Sequence, residues 1–174
     1  HLVRRGVDVA RSIAAFRSPA WYGVKEEWKW RQLQEVAATK HPALIGSDLA
    51  VILKGRDRPG SAFARGLVEW ALSILEARSG AAALEAERWL ELRYEDLVDG
   101  PAAFLERLEK FLGLEASDLA RSSALETVRG STRRPLSAAE HAVLEATRGS
   151  KLEELLLEVG DLQDVGELLS PGPA

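Results

Sequence analysis

Alternation of hydrophobic and polar positions along the chain predicts a mostly helical protein with two short strands. Residues 1–4 have the pattern of a strand end, a break follows at Arg5-Gly6, and a helix begins near Asp8 and ends by Pro19. A second strand is predicted for residues 89–94. Apolar repeats at helical spacing predict further helices over residues 24–38, 61–80, 101–112, 118–128, from Ser137 onward, 152–159 and 162–169.

Local signals mark some of these ends and leave one segment open. Pro101 stands in the first turn of its helix and Gly113 follows the last turn, which is the usual distribution of these residues. Ser137 and Glu140 fit the S-x-x-E capping box. Residues 49–53 are apolar throughout, so periodicity allows both a buried strand and a helical turn.

The two strands decide the fold class. Two strands do not form a stable sheet alone, and strand–turn–helix units of this kind normally lie in a parallel sheet with helices on its faces. We therefore expect an α/β fold whose other strands come from elsewhere. The chain has no methionine and opens directly on an apolar stretch, so we expect the C-terminal part of a longer protein.

Composition excludes several classes of site. The 174 residues include no cysteine, which removes disulfides, thiolate catalysis, zinc–thiolate sites and iron–sulfur clusters. The three histidines are far apart in sequence, and this argues against a histidine metal site. No apolar run is long enough to span a bilayer and no secretory signal is visible, so we expect a cytoplasmic protein, with a composition typical of bacteria.

Charge is distributed unevenly. Residues 1–58 have 11 Lys and Arg against 6 Asp and Glu, whereas residues 59–174 have 12 against 21. The basic excess at the front favours an anionic ligand there, and the acidic remainder argues against a nucleic-acid partner. Ordinary solvated surface charge explains the same bias equally well.

Three segments contain candidate binding residues. The first has Arg4 at the carboxyl end of a strand and Ser12 in the next helix, positions that face the crevice where α/β sheets bind ligands. A surface arginine and a serine that packs in the helix would give the same sequence pattern. Glu95 and Asp96 follow the second strand as a candidate acid–base pair, but a structural or capping role beside Arg93 is favoured. The loop 129–134 (RGSTRR) can fold over an anion, or be a polar connector.

Together these segments resemble the sulfotransferases that use 3′-phosphoadenosine-5′-phosphosulfate (PAPS). HLVRRGVDVARSIAAF is similar to the strand, turn and helix of the family that hold the 3′-phosphate of the nucleotide. RYEDLVDGPAAFLERLEKFLGL is similar to the strand–turn–helix found downstream. The resemblance covers residues 1–17 and about 63–114 well, and the rest loosely.

The resemblance implies a fold, a cofactor and site residues. The fold would be a P-loop-NTPase-like parallel sheet with flanking helices, of which this chain holds a mostly helical C-terminal part. Arg4 and Ser12 match the pair that holds the 3′-phosphate, and Arg133 and Arg134 stand where the family has a second basic loop. The phosphosulfate loop and the catalytic base lie upstream in the family, so no catalytic residue and no metal ligand is assigned here.

The expected activity is transfer of a sulfuryl group from PAPS to an acceptor hydroxyl or amine. The whole chain, residues 1–174, would be the C-terminal part of a sulfotransferase-like domain. Its parts would be the 3′-phosphate segment, an acceptor-side segment, a core helix–strand–helix and C-terminal helices, at residues 1–17, 18–60, 61–114 and 115–174. The tryptophan-rich stretch 24–38 either lines the acceptor pocket or, as is favoured, packs in the core.

Partners and alternatives stay open at this point. The acceptor is a small molecule, carbohydrate, lipid or peptide, and a core face left by a missing half would resemble a homodimer interface. One alternative is a non-catalytic sulfotransferase-like scaffold, which the absence of the phosphosulfate loop favours and the Arg4–Ser12 pair opposes. Another is an unrelated helical interaction protein.

Overall fold

The computed structural model describes residues 1–16, 27–55, 58–115, 117–127 and 134–160. The chain forms two compact units, the first from His1–Arg4 with Ala77–Arg134 and the second from Arg5–Glu76 with Pro135–Ala174. In chain order the elements are β1 (Leu2–Val3), α1 (Gly6–Ala15), α2 (Trp28–Lys40), α3 (Ser47–Leu53), α4 (Ser61–Ala81), β2 (Leu92–Arg93), α5 (Tyr94–Asp99), α6 (Pro101–Leu112), α7 (Asp118–Thr127), α8 (Ala138–Glu145) and α9 (Lys151–Glu158). None of the helices in the described ranges combines the length and apolar character needed to cross a bilayer.

The first unit contains a parallel pair of strands. Leu2 of β1 lies opposite Leu92 of β2, and Val3 lies opposite Arg93. Val3 and Leu92 are both buried and, being at different register positions, lie on opposite faces of the pair. The predicted parallel arrangement is confirmed, and the described part of the chain is otherwise mostly helical.

The second strand is shorter than predicted. A 3-10 turn at Ala86–Arg88 comes before it, and α5 begins at Tyr94, directly after Arg93. The ladder has two residue pairs, and Tyr94, the last residue of the predicted strand, is the first residue of α5. The aromatic and apolar pattern at 89–94 therefore predicts a longer strand than the structure has, Leu92–Arg93.

Helices α6 and α7 complete the first unit. Pro101 begins α6, and Gly113 ends it in the left-handed conformation with φ of +66°, as predicted. Glu109 joins the two helices because its carboxylate accepts hydrogen bonds from the backbone N–H of Ser117 and from Nη2 of Arg121, both at 3.0 Å. The bond from Ser117 is the main reason that the pKa of Glu109 is lowered.

Residues 61–76 of helix α4 lie in the core of the second unit. Its fully buried side chains are Ala64, Leu67, Val68 and Ala71. Helix α1 approaches it so closely that a Cβ on Gly66 would lie 2.8 Å from Cα of Ala10. Only glycine at position 66 permits this backbone-to-backbone contact, which orients α1 in the unit.

Two further predictions about helices are settled by the structure. Residues 49–53 belong to α3, and Leu49 and Leu53 are both buried at the i, i+4 spacing of one helical face. The predicted capping box of α8 is confirmed: Ser137 Oγ accepts from the N–H of Glu140, and the Glu140 carboxylate accepts from the N–H of Ser137.

Other predicted boundaries shift or fall outside the described part of the chain. Helix α1 ends at Ala15, before Pro19 is reached, and α2 extends to Lys40. The start of the predicted helix 24–38 and the predicted helix 162–169 lie outside the described residues.

Candidate functional site

Arg4 and Tyr94 meet at one edge of the parallel pair. Arg4 follows β1 and Tyr94 follows β2, so both stand at the carboxyl ends of parallel strands, where α/β sheets bind ligands. The guanidinium carbon of Arg4 lies 5.0 Å from the centroid of the Tyr94 ring, within cation–π range. Both side chains are half-buried, so the ring limits the orientations open to the guanidinium.

Tyr94 was not among the predicted site residues. The sequence contained a signal for it, because Tyr94 is the last residue of the strand predicted for 89–94, and the carboxyl ends of parallel strands meet at one edge. The two sequence segments with Arg4 and Tyr94 are therefore in direct contact within the first unit.

The carboxylates after β2 form local ion pairs. Nε of Arg93 lies 3.8 Å from Oε2 of Glu95, and Nη1 of Arg107 lies 3.7 Å from Oδ2 of Asp96. Arg93 therefore pairs locally with one of the two carboxylates that follow it. Because each carboxylate has its own cationic neighbour, a structural role explains them better than a shared acid–base role.

Ser12 lies on the exposed side of α1, away from the Ala10 face that packs on α4. Its hydroxyl is therefore accessible as a donor for an anion. Arg4 belongs to the first unit and Ser12 to the second, so joint action of the two stays a prediction. Arg133 lies outside the described residues, and Arg134 is exposed at the end of the first unit.

An unpredicted ion pair fixes α1 next to Ser12. Arg11 donates from Nε to Oε1 of Glu140 at 2.8 Å and from Nη2 to Oε2 at 3.2 Å, and Nη2 also donates to the carbonyl of Pro135 at 2.9 Å. Burial disfavours the charge on Glu140, but the bonds from Arg11 and Ser137 outweigh it and lower the pKa of Glu140 to about 2. The partners are 129 residues apart in sequence, so no local pattern could predict the pair.

A buried arginine of α4 contacts the start of the tryptophan-rich helix α2. Arg65 of α4 is only 6% exposed, donates from Nη1 to Oε1 of Glu27 at 2.8 Å, and lies with its guanidinium carbon 5.0 Å from the Trp30 ring. Trp30 is 3% exposed whereas Trp28 is 57% exposed. The core role favoured for the tryptophan-rich stretch is therefore correct for Trp30 and wrong for Trp28.

The end of α2 contains a smaller charged cluster. Glu76 accepts hydrogen bonds from Lys40 and lies with Oε1 2.8 Å from Nε2 of His41. The bond from Lys40, followed by that from His41, lowers the pKa of Glu76. Within the described residues no group of three or more His, Asp or Glu side chains is placed to hold a metal ion.

Comparison with known proteins finds a similarity over part of the chain. Residues 41–118 match a family model described as "Sulfotransferase family", which confirms the resemblance to sulfotransferases and indicates sulfuryl transfer at the level of the family. The match covers slightly less than half of the chain; it includes Tyr94 and lies between Ser12 and the 129–134 loop. No curated protein and no solved structure matches the chain.

Proposed function

We propose that this chain is the nucleotide-anchoring part of a cytoplasmic sulfotransferase that uses PAPS and has a P-loop-like α/β fold. The acceptor is a hydroxyl or amine of a small molecule, carbohydrate, lipid or peptide. The observation that carries the proposal is the match of residues 41–118 to the sulfotransferase family. The position of Arg4 at the carboxyl edge of the β1–β2 pair supports its assignment to the donor nucleotide.

The residues present suit the 3′-phosphate of the nucleotide. Arg4 offers a planar fork of N–H donors, the geometry that best fits a phosphate group. Ser12 offers an exposed hydroxyl on a helix whose orientation the Arg11–Glu140 pair fixes. Neither residue needs a metal ion to bind an anion.

Within the proposal the chain binds and orients, and it contains no assigned base. When bound, PAPS supplies a sulfuryl group whose bond to the 5′-phosphate oxygen breaks as a bond to the acceptor oxygen or nitrogen forms. Tyr94 restricts the Arg4 guanidinium, so less rotational freedom is lost when Arg4 binds the phosphate. By analogy with phosphoryl transfer, positioning and electrostatics supply most of the rate enhancement.

Calorimetric titration with 3′,5′-adenosine bisphosphate tests the proposal. Replacing Arg4 by Gln removes a charge-assisted contact, so the affinity should fall by about 10- to 150-fold, equivalent to about 1.5–3 kcal/mol. Arg107→Gln is the matched control, because Arg107 is an exposed arginine of the same unit that pairs with Asp96 of α5. An unchanged affinity in Arg4→Gln, or no binding to the unmodified protein, contradicts the assignment.

A further inference from the structure

A mostly apolar groove in the second unit lies between the end of α2 and α3. Its volume is about 360 Å³, and its apolar lining residues are Ala37, Ala38, Pro42, Ile45, Ala50 and Leu53. We propose that this groove holds the acceptor of the sulfuryl group, and that the acceptor is a small apolar alcohol whose hydroxyl donates a hydrogen bond to His41. The inference rests on the proposed function and narrows its acceptor to one class.

Backbone hydrogen bonds fix the segment between α2 and α3 that forms one wall of the groove. The N–H of Leu44 donates to the carbonyl of His41 at 2.9 Å, and the N–H of Lys151 donates to the carbonyl of Ala43 at 2.9 Å. The Leu44 side chain is fully buried. Since the wall is held by these contacts, little ordering is needed when a ligand binds.

His41 lines the groove with a ring whose hydrogen-bonding state is set by Glu76. Oε1 of Glu76 lies 2.8 Å from Nε2 of His41, and the bonds from Lys40 and then from His41 lower the pKa of Glu76. An ionised carboxylate only accepts hydrogen bonds, so Nε2 carries the proton of the neutral ring and Nδ1 is the acceptor. Within the described residues Nδ1 of His41 has no hydrogen-bond partner, which leaves it available to a ligand hydroxyl.

The lining selects among the possible acceptors. Lys54 is the permanent charge among the described lining residues and forms no ion pair within them, so it repels an ammonium group and favours an alcohol over an amine. The apolar walls disfavour a carbohydrate, because its hydroxyl groups would lose their hydrogen bonds to water. A volume of 360 Å³ lies at the lower end of the range of about 300–1,000 Å³ typical of ligand sites, and this favours a small molecule over a peptide.

The experiment compares three probes built on one six-membered ring. Binding of 4-tert-butylcyclohexanol, 4-tert-butylcyclohexylamine and myo-inositol to the whole protein is followed by chemical-shift changes of the backbone N–H signals of residues 34–54. Ala38→Trp fills the groove from an exposed position of α2, and Ala103→Trp at an exposed position of α6 is its matched control. His41→Phe removes the nitrogen acceptor and keeps a ring, and Lys54→Gln removes the charge.

We expect the alcohol to bind saturably, the amine to bind about tenfold more weakly and myo-inositol not to bind. The affinity for the alcohol should fall by about tenfold or more in Ala38→Trp, by about 2- to 12-fold in His41→Phe and by less than about threefold in Ala103→Trp. Lys54→Gln should reduce the difference between alcohol and amine to less than about threefold. No saturable binding of the alcohol, equal affinity for the amine or for myo-inositol, or equal losses in Ala38→Trp and Ala103→Trp overturns the proposal.

A second titration separates this inference from the proposed function. Saturating 3′,5′-adenosine bisphosphate should leave the alcohol bound, because donor and acceptor must be bound together for transfer, and mutually exclusive binding overturns the acceptor role. Arg4→Gln should weaken the bisphosphate and leave the affinity for the alcohol unchanged. A protein that binds the alcohol and not the bisphosphate contradicts the proposed function, whereas one that binds the bisphosphate and not the alcohol overturns only the acceptor assignment.

Discussion

Replacing Glu140 by Gln removes the negative charge to which Arg11 is bound and leaves the shape of the side chain almost unchanged. Glu140 is 7% exposed, accepts two hydrogen bonds from Arg11, and closes the capping box of α8. The variant therefore isolates the contribution of one buried charge to the stability of the second unit.

The magnitude follows from the pKa of this carboxyl group. Burial opposes ionisation, and the bonds from Arg11 and Ser137 overcome it and lower the pKa from 4.5 to about 2. Since one pKa unit corresponds to about 1.4 kcal/mol, the ionised carboxylate stabilises the fold by about 3 kcal/mol at pH 7. Because the folded-state pKa lies below the unfolded value, this stabilisation is present above about pH 5 and is lost as the pH falls toward 2.

The assay is urea unfolding of the wild type and of Glu140→Gln between pH 7 and pH 2. We expect the difference in free energy of unfolding to be about 3 kcal/mol at pH 7, about 1.5 kcal/mol at pH 3 and under about 0.5 kcal/mol at pH 2. Glu145→Gln is the control, because Glu145 lies on the same helix in an exposed pair with Arg148, and its effect should stay below about 1 kcal/mol.

The result that would refute this reasoning is a difference that does not depend on pH. A constant loss of stability in Glu140→Gln from pH 7 to pH 2 would mean that shape and neutral hydrogen bonds, and not charge, account for the contribution of Glu140. An equal loss of unfolding free energy in Glu145→Gln would mean that the net charge of the protein, and not the Arg11–Glu140 pair, causes the effect.

Three further predictions concern single contacts. Gly66→Ala should lower the free energy of unfolding in urea by about 1–3 kcal/mol, because the new Cβ meets the backbone of α1. Gly80→Ala on the same helix is the control: its Cβ meets no atom within 4 Å, so it should raise the free energy of unfolding by up to about 1 kcal/mol. Tyr94→Leu should weaken binding of 3′,5′-adenosine bisphosphate by about 2- to 30-fold. Tyr94→Phe keeps the ring under Arg4 and should bind as tightly as the wild type. Equal losses of affinity in the two variants would contradict the cation–π role. Ser150→Ala should lower the thermal stability by about 1 kcal/mol, because Ser150 caps α9, and an unchanged Tm would show that the cap is dispensable.

Features set by neighbouring residues were predictable from the sequence. Pro101 and Gly113 mark the ends of α6, and Ser137 with Glu140 marks the start of α8, because each signal acts within one helical turn. The length of β2 was not predictable in the same way. The residues at 89–94 have a strand pattern, but the turn at Ala86–Arg88 comes before the strand and α5 begins at Tyr94, so only Leu92–Arg93 are in the strand.

Long-range contacts account for most of what the sequence left out of the candidate sites. Arg11 contacts Glu140 across 129 residues, and Arg65 contacts Glu27 across 38. Each arginine has a sequence context typical of an ordinary surface position on a helix. Their roles depend on which helices pack together. For α1 that packing depends on the absence of a Cβ at Gly66.

Arg4 is the residue on which the proposed function depends most directly. It lies outside residues 41–118, yet β1 pairs with β2 and the Arg4 guanidinium rests on Tyr94, and both β2 and Tyr94 lie inside the matched stretch. Ser12 lies on α1, whose contact with the matched stretch is made by Ala10 against Gly66. A guanidinium–phosphate contact is also worth more than a hydroxyl–phosphate contact, about 1.5–3 against about 0.5–1.5 kcal/mol. Loss of nucleotide affinity should therefore be larger in Arg4→Gln than in Ser12→Ala, and the reverse order would move the anchoring role from the sheet edge to α1.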